Sequence, residues 1–458
     1  MRIIQRTIVA GLSLTLVVAS VSAAKASAAK ASATKASGSG QVPTTQSGPD
    51  KAVETSKSLI NEFFAEATLS EALVAQQKTV EDQPGDQNEK FRLGMMQFLR
   101  ALEGLGQDHH RFGLMSGQRM TIPLMRLPVP PNENPEKLTY QKARSIVRRL
   151  LKRLTVAQQT LESINTDEAE IRVPVDLTQL ALDLNNDGNY MDKESILYIS
   201  AAVQRGRRTV TTAMPKSFPV MFDNADVSWL EGYTHVLSAF CEVALAHDWE
   251  KHFNTSAILF YPNVETPFDF LKDEPRESVM SFSTASIFDI VAFLHNINYE
   301  CKYPKRMLAA LEHLEAVVTC SRKTWSLIEA ETDNEREWLP GPKQTSIMGS
   351  FRITQQIVGS WKDVTDEVEA LLKGKKLAPF WRGTEGGRIN GAQVWNKTIG
   401  INVRKMFTEP TGFDMALWIH GSGLQPYLEE GDISSPEDWR KFNRAFGNRF
   451  WNFAFWIN

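Results

Sequence analysis

Phe91-Arg-Leu-Gly-Met-Met-Gln-Phe-Leu-Arg-Ala-Leu102 is the stretch whose reading decides the fold. Phe91, Met95, Phe98, Leu99 and Leu102 recur at spacings of three and four. That period puts them on one face of an α-helix and on no single face of a strand. Gly104 and Gly106 follow and read as stop signals. Upstream, Leu59, Ile60, Phe63, Phe64 and Ala67 repeat the pattern. Downstream, residues 139–164 form a long helix with an arginine- and lysine-rich face, and further helices fall near 224–248, 284–297, 304–331, 351–373 and 412–420. Residues 121–135 hold five prolines and read as an extended connection. Ser435-Pro-Glu-Asp438 reads as a capping box with proline at the first helical position. Phe442, Phe446, Phe450 and Phe453 then form an aromatic stripe expected to dock on the body. Strand-like alternation is scarce. The pattern predicts an all-α fold of helix pairs around one extended core. Two packings stay open, an irregular bundle or a stack of helical hairpins, and the missing repeat period weighs against a regular solenoid.

The chain of 458 residues begins outside that pattern. Arg2 and Arg6 precede Ile8–Val21, an apolar run of 14 residues, too short to span a bilayer comfortably. Val21-Ser-Ala23 supplies the small residues a signal peptidase reads, so residues 1–23 are expected to be a Sec signal peptide. The mature protein is then expected in the periplasm or outside the cell. Residues 24–50, opening AKASAAKASATKASGSG, read as a disordered tether with too little apolar surface to offset its ordering entropy. Residues 51–458 are read as one helical domain. No later segment is apolar for long enough to be a membrane helix. The formal charge of −3 gives no sign of the cationic face that nucleic acid needs. Cys241, Cys301 and Cys320 allow at most one disulfide. Loop length favours Cys301 with Cys320 for it, while three buried thiols acting as small apolar residues is the preferred reading.

One short stretch carries chemistry: Asp183-Leu-Asn-Asn-Asp-Gly-Asn-Tyr-Met-Asp-Lys-Glu194. A twelve-residue loop can surround calcium with oxygens from positions 1, 3, 5, 7 and 12, with glycine at position 6 for the sharp turn. Those positions are Asp183, Asn185, Asp187, Asn189 and Glu194, with Gly188 at the turn. Ser195–Val203 continues as an apolar-patterned helix. The loop resembles that of the EF-hand and its shorter relative in dockerin modules. It departs at position 8, Tyr190, where a small aliphatic is usual, and at its entry, where Pro174 leaves room for only a short helix. No second loop of this kind occurs, so a structural calcium staple is expected rather than a paired sensor. The alternative is a bare Asn/Asp/Gly turn.

Other constellations read as structural. Glu231, His235 and Glu242 fall on one face of the 224–248 helix, a spacing that suits a metal site or an acid–base pair. There is no His-Glu-x-x-His, which favours a hydrogen-bonded core histidine. Trp381, one of eleven tryptophans, could stack a sugar ring, but burial is the better reading. The run Arg148–Arg153 reads as a solvated face. No nucleophile elbow, phosphate loop or dinucleotide fingerprint is present.

At Trp229–His235, Glu265–Leu271, Leu377–Gly383 and Phe407–Asp414 the chain resembles a family of uncharacterised bacterial exported proteins. The resemblance covers most of the chain from about residue 90. It implies export and carries over no catalytic residue. The expectation is an exported helical protein with one structural calcium, acting as a binding or scaffold module. The alternative is an extracytoplasmic hydrolase or lyase, with polysaccharide as one candidate substrate, a supporting calcium and acids such as Glu231 and Glu242 in a cleft.

Overall fold

The computed structural model describes residues 68–115, 123–205, 215–273, 284–345, 352–382, 388–389, 392–393 and 399–446. The expected signal peptide, the tether and the helix at Leu59–Ala67 lie outside these residues.

The described chain is mostly helical. Helix α1 (Leu69–Asp82) starts at Thr68, whose hydroxyl and the Glu71 carboxylate cap each other's backbone. Helix α2 (Gln87–Arg111) starts at Asp86, whose Oδ1 accepts from Asn88 N at 2.8 Å. It does not stop at Gly104 and Gly106. A Cβ at Gly104 would come 2.4 Å from Arg153 Nη1, and one at Gly106 would come 2.4 Å from Leu184 Cδ2. These glycines mark close approach within the helix, so packing overrides their low helix propensity.

Helix α3 (Tyr140–Glu162) lies between α2 and α5 (Asn224–Ala246). Its basic run is only partly a solvated face. Arg149 Nη2 meets Asp108 Oδ1 on α2 at 2.6 Å, and Arg153 lies 4.0 Å from the same carboxylate. On the other side, Arg144 donates to Leu245 O and His247 O at 2.7 Å each. A buried guanidinium thereby satisfies carbonyls that the end of α5 leaves without intrahelical partners.

The most extensive helix contact joins α5 to α8 (Pro304–Ala330). Their seam is unusually polar. Asp226, Ser228, Thr234, His235, Ser238 and Glu242 on α5, and Ser321 and Thr324 on α8, are all buried. Around this pair the described residues form three apolar clusters rather than the single extended core expected. The first gathers α1, α2, α3 and α5 as far as Cys241. The second lies around Phe407, Trp418 and Tyr427, and the third around Trp325 and Trp361. In the third, Phe442 of α11 (Pro436–Ala445) and Phe446 at its C-cap dock as the aromatic stripe predicts; Phe450 and Phe453 lie outside the described residues. Pro436 opens α11, and Ser435 Oγ accepts from Glu437 N at 3.1 Å.

Small antiparallel sheets brace the corners, a component the helical reading lacked. Val173–Asp176 pairs with Pro219–Phe222. Asn298–Cys301 joins His247–Asp248 to Phe413–Asp414, and Ile399–Ile401 joins Ala378–Pro379 to Leu428–Glu430. No helix among the described residues is long and apolar enough to cross a membrane.

All three cysteines are free. Cys301 precedes α8 and Cys320 sits deep within it, so the helical rise alone separates them by about 24 Å. The Cys301–Cys320 bridge is therefore ruled out, because a disulfide needs Cα atoms within about 7 Å.

Candidate metal centre

The loop Asp183–Glu194 is built from both ends inward. Val173–Asp176 delivers the chain to it, and the Asp176 carboxylate caps a single 3-10 turn, Leu177–Gln179, by accepting from Thr178 N at 2.9 Å. This turn is all there is of an entering helix. Leu182 N donates to Glu194 O at 2.9 Å and Ile196 N to Leu180 O at 2.8 Å, so the two ends of the loop are pinned to each other. Helix α4 (Ile196–Arg205) carries the chain away. Leu182 and Leu184 are wholly buried and anchor the loop in the first cluster. Helix α2 holds the first position: Asp183 N donates to Glu103 Oε1 at 3.0 Å and Gln107 Nε2 donates to Asp183 O at 2.9 Å.

Inside the loop the acids are tied to backbone N–H groups. Asp183 Oδ1 accepts from Asp187 N at 3.1 Å and its Oδ2 from Gly188 N at 3.0 Å. Asn185 Oδ1 also accepts from Asp187 N, at 3.2 Å. Asn186 and Gly188 take φ of 60° and 77°, the left-handed region that an asparagine tolerates and a glycine adopts freely. At position twelve, Glu194 is 0% exposed. Its Oε1 accepts from Leu184 N and its Oε2 from Met191 N, both at 2.9 Å, so one carboxylate laces the start of the loop to its end. Burial pushes the Glu194 carboxyl up, its two N–H donors oppose the shift, and Asp183 and Asp187 add to it. Asp187 points outward. Asn189 N donates to its Oδ1 and Asn185 Nδ2 to its Oδ2, both at 2.7 Å, and the first of these chiefly holds its carboxyl below the usual range. The five predicted ligands thus share one turn of chain. Asp183 and Glu194 form its buried floor, and Asn185, Asp187 and Asn189 its outer rim.

Two other clusters bring ligand atoms within 4.8 Å of one another: Glu231, His235 and Cys320, and Asp223, Glu331 and Glu337. The three acids of the loop are not gathered so tightly among the described residues. In the first cluster, Cys320 Sγ donates to Glu231 Oε1 at 3.4 Å, and the Nδ1 atoms of His235 and His313 are 2.8 Å apart. Burial raises the Glu231 carboxyl and the Cys320 thiol and lowers the His235 imidazole to about 4. Of the three α5 residues singled out in the sequence, Glu231 and His235 belong here. Glu242 does not; it binds Arg306 Nη1 at 2.7 Å. His313 and Cys320 escaped the sequence reading because they lie 78 and 89 residues from their partners. Their one signal was a spacing of seven on a single predicted helix.

The second cluster joins the start of α5 to the end of α8. Asp223 caps α5, and its Oδ1 accepts from Ala225 N at 2.7 Å. Asp226 Oδ2 accepts from Asp223 N at 3.0 Å. Glu331 accepts from Gln344 Nε2 at 3.0 Å and Glu337 from Glu335 N at 2.7 Å. Burial, reinforced by the neighbouring carboxylates, pushes both glutamates up to about 7.

Trp381 is buried in the second apolar cluster, with its ring 5.5 Å from Phe380. The direct partners of the three residues differ: Trp381 packs on Phe380, His235 meets His313, and Glu242 binds Arg306. Comparison with protein-family models, curated proteins and solved structures finds no match. The likeness to exported bacterial proteins and to the EF-hand loop rests on the quoted residues alone.

Proposed function

We propose that this chain is an exported protein whose irregular helical bundle carries an EF-hand-like loop, Asp183–Glu194, holding one structural calcium ion, and that it acts as a binding or scaffold module. The observation that carries the proposal is the buried Glu194 carboxylate, which laces Leu184 to Met191 while Asp183 ties the middle of the same turn. Two buried acids in one loop, with Asp187 raising the charge further, are in a state that a hard cation relieves. The exposed Asp187 needs only to exchange its contacts with Asn185 and Asn189 to turn toward them. The ion would join the corner after Leu177–Gln179 to α4, a stapling role rather than a switching one. Export is supported by the order of residues 1–23: charge, apolar run, small residues. The scaffold reading is supported by the separation of Glu231 and Glu242, the acids named for the enzyme reading: Glu231 meets Cys320, and Glu242 binds Arg306.

The test is thermal unfolding of the mature protein in calcium and in chelator, beside an Asp187→Ala variant. An ion held only by the folded state stabilises it by about 2.7 kcal/mol at a hundredfold excess over Kd. A calcium-dependent rise in Tm that vanishes in the variant supports the proposal, and equal Tm values with and without calcium overturn it. Fractionation of cells making the full chain, with sequencing of the mature N-terminus, tests export; a start near Ala24 is expected.

A further inference from the structure

The cluster between α5 and α8 is the most developed group of ligating side chains outside the loop. We propose that Glu231, His235 and Cys320 form a site for one divalent metal of the zinc class, with Glu162 closing its rim.

The first support is the spacing. A zinc ion bound at about 2.0–2.3 Å holds its ligand atoms roughly 3.3–3.8 Å apart in a tetrahedron. Cys320 Sγ and Glu231 Oε1 are 3.4 Å apart, and His235 Nε2 lies 3.6 Å from Glu162 Oε1 at the end of α3. The atoms of Glu231, His235 and Cys320 all fall within 4.8 Å of one another. Three helices therefore converge on one point, with Glu231 and His235 a helical turn apart on α5.

The second support is the donor set. A thiol, an imidazole and carboxylates suit zinc and its softer neighbours; calcium and magnesium take oxygen ligands. This site therefore selects a different ion from the loop, and it stands or falls independently of the calcium proposal.

The third support is the outer contact. A metal-bound histidine usually donates its other ring N–H to a neighbour, which sets its tautomer and orientation. His235 presents Nδ1 to His313 Nδ1 at 2.8 Å, which leaves Nε2 on the side of Glu162. His313 is then a positioning residue. His235 and Cys320 are both buried, so the site lies within the helix seam, and Glu162 with its half-exposed side chain marks the way in.

The test is titration of the chelator-stripped mature protein with cobalt, followed by displacement with zinc. About one cobalt per chain is expected, with a thiolate-to-cobalt charge-transfer band that zinc abolishes. Cys320→Ser should remove the band, and Cys241→Ser and Asp187→Ala should keep it. His313→Ala should weaken cobalt binding about 10–100-fold without removing the band. No band in the wild type, or a band that survives in Cys320→Ser, overturns the proposal. Because Cys320→Ser could disturb folding, alkylation of the wild type is read in parallel. Zinc should slow modification of Cys320 and leave Cys301 unaffected; equal rates at Cys320 with and without zinc overturn the proposal.

Discussion

The loop at Asp183–Glu194 and the seam between α5 and α8 are two ways of bringing charged side chains together. In the loop every partner is local. Its own hydrogen bonds link residues two to sixteen apart, and α2 merely holds the first position. In the seam the partners are 78 and 89 residues apart and meet because two long helices pack along their length. The loop is shaped by backbone N–H groups and left-handed residues, the seam by side-chain packing. A change in the loop should therefore act through its anchor and its lacing carboxylate, and a change in the seam through groups left without partners.

The largest effect is expected at the anchor. Leu184→Ala removes a fully buried side chain that fills the space over Gly106 and should cost about 2–5 kcal/mol in urea unfolding. A cost near zero would mean the loop is held by its polar bonds alone. Next comes Glu194→Gln, which keeps the shape but sets an amide NH2 in place of one of the two oxygens that accept from Leu184 N and Met191 N. About 1–3 kcal/mol is expected, together with loss of the calcium-dependent Tm rise. A variant that keeps both would break the account of the loop.

In the seam, His235→Leu takes from His313 its buried imidazole partner and should cost about 1–3 kcal/mol. The double variant His235→Leu/His313→Leu should be more stable than the additive sum of the singles, because no orphan remains. Strict additivity would show that the histidines are not coupled.

The acid cluster at the ends of the same two helices gives a pH signature. Glu331 and Glu337 titrate near 7 in the fold, above the ordinary value of 4.5. A raised carboxyl favours the protonated folded state. Its contribution is present below the unfolded value and is lost as pH rises through 7. Stability should therefore fall from about pH 4.5 to about pH 7 and level off above, by at most about 1.4 kcal/mol per pH unit for each group. Glu331→Gln/Glu337→Gln should flatten that slope in unfolding titrations, and an unchanged slope would place its origin elsewhere. The smallest effect is expected at Met191, which is 45% exposed at position nine of the loop. Met191→Ala offers calcium no more and no less than methionine does. It should stay within about 0.5 kcal/mol of wild type and keep the calcium response.

Much of the helical framework was legible. The expected helices at 224–248, 284–297, 304–331 and 351–373 match Asn224–Ala246, Thr284–His295, Pro304–Ala330 and Gln355–Leu372 closely. The interactions that start and periodically bury a helix run over three or four residues, within reach of a sequence pattern. Gly104 and Gly106 misled because their meaning comes from Arg153 and Leu184, far along the chain. The single core became three clusters because the α5–α8 pair stands between them. The loop was readable as a contiguous unit, down to its short entry and the helix that leaves it. The seam was half readable: Glu231 and His235 share one helix face, but nothing in the sequence says that His313 and Cys320 face them.

By itself, then, the sequence determined where many of the helices form, how the last one opens at Ser435, and which residues compose the loop, since each depends on neighbours within a turn or two of chain. Only the tertiary structure decided that α5 pairs with α8, that Cys320 faces Glu231 instead of bridging to Cys301, and that Glu242 turns to Arg306. Those contacts depend on how whole helix faces fill space against one another, a property of the packed chain that no local spacing encodes.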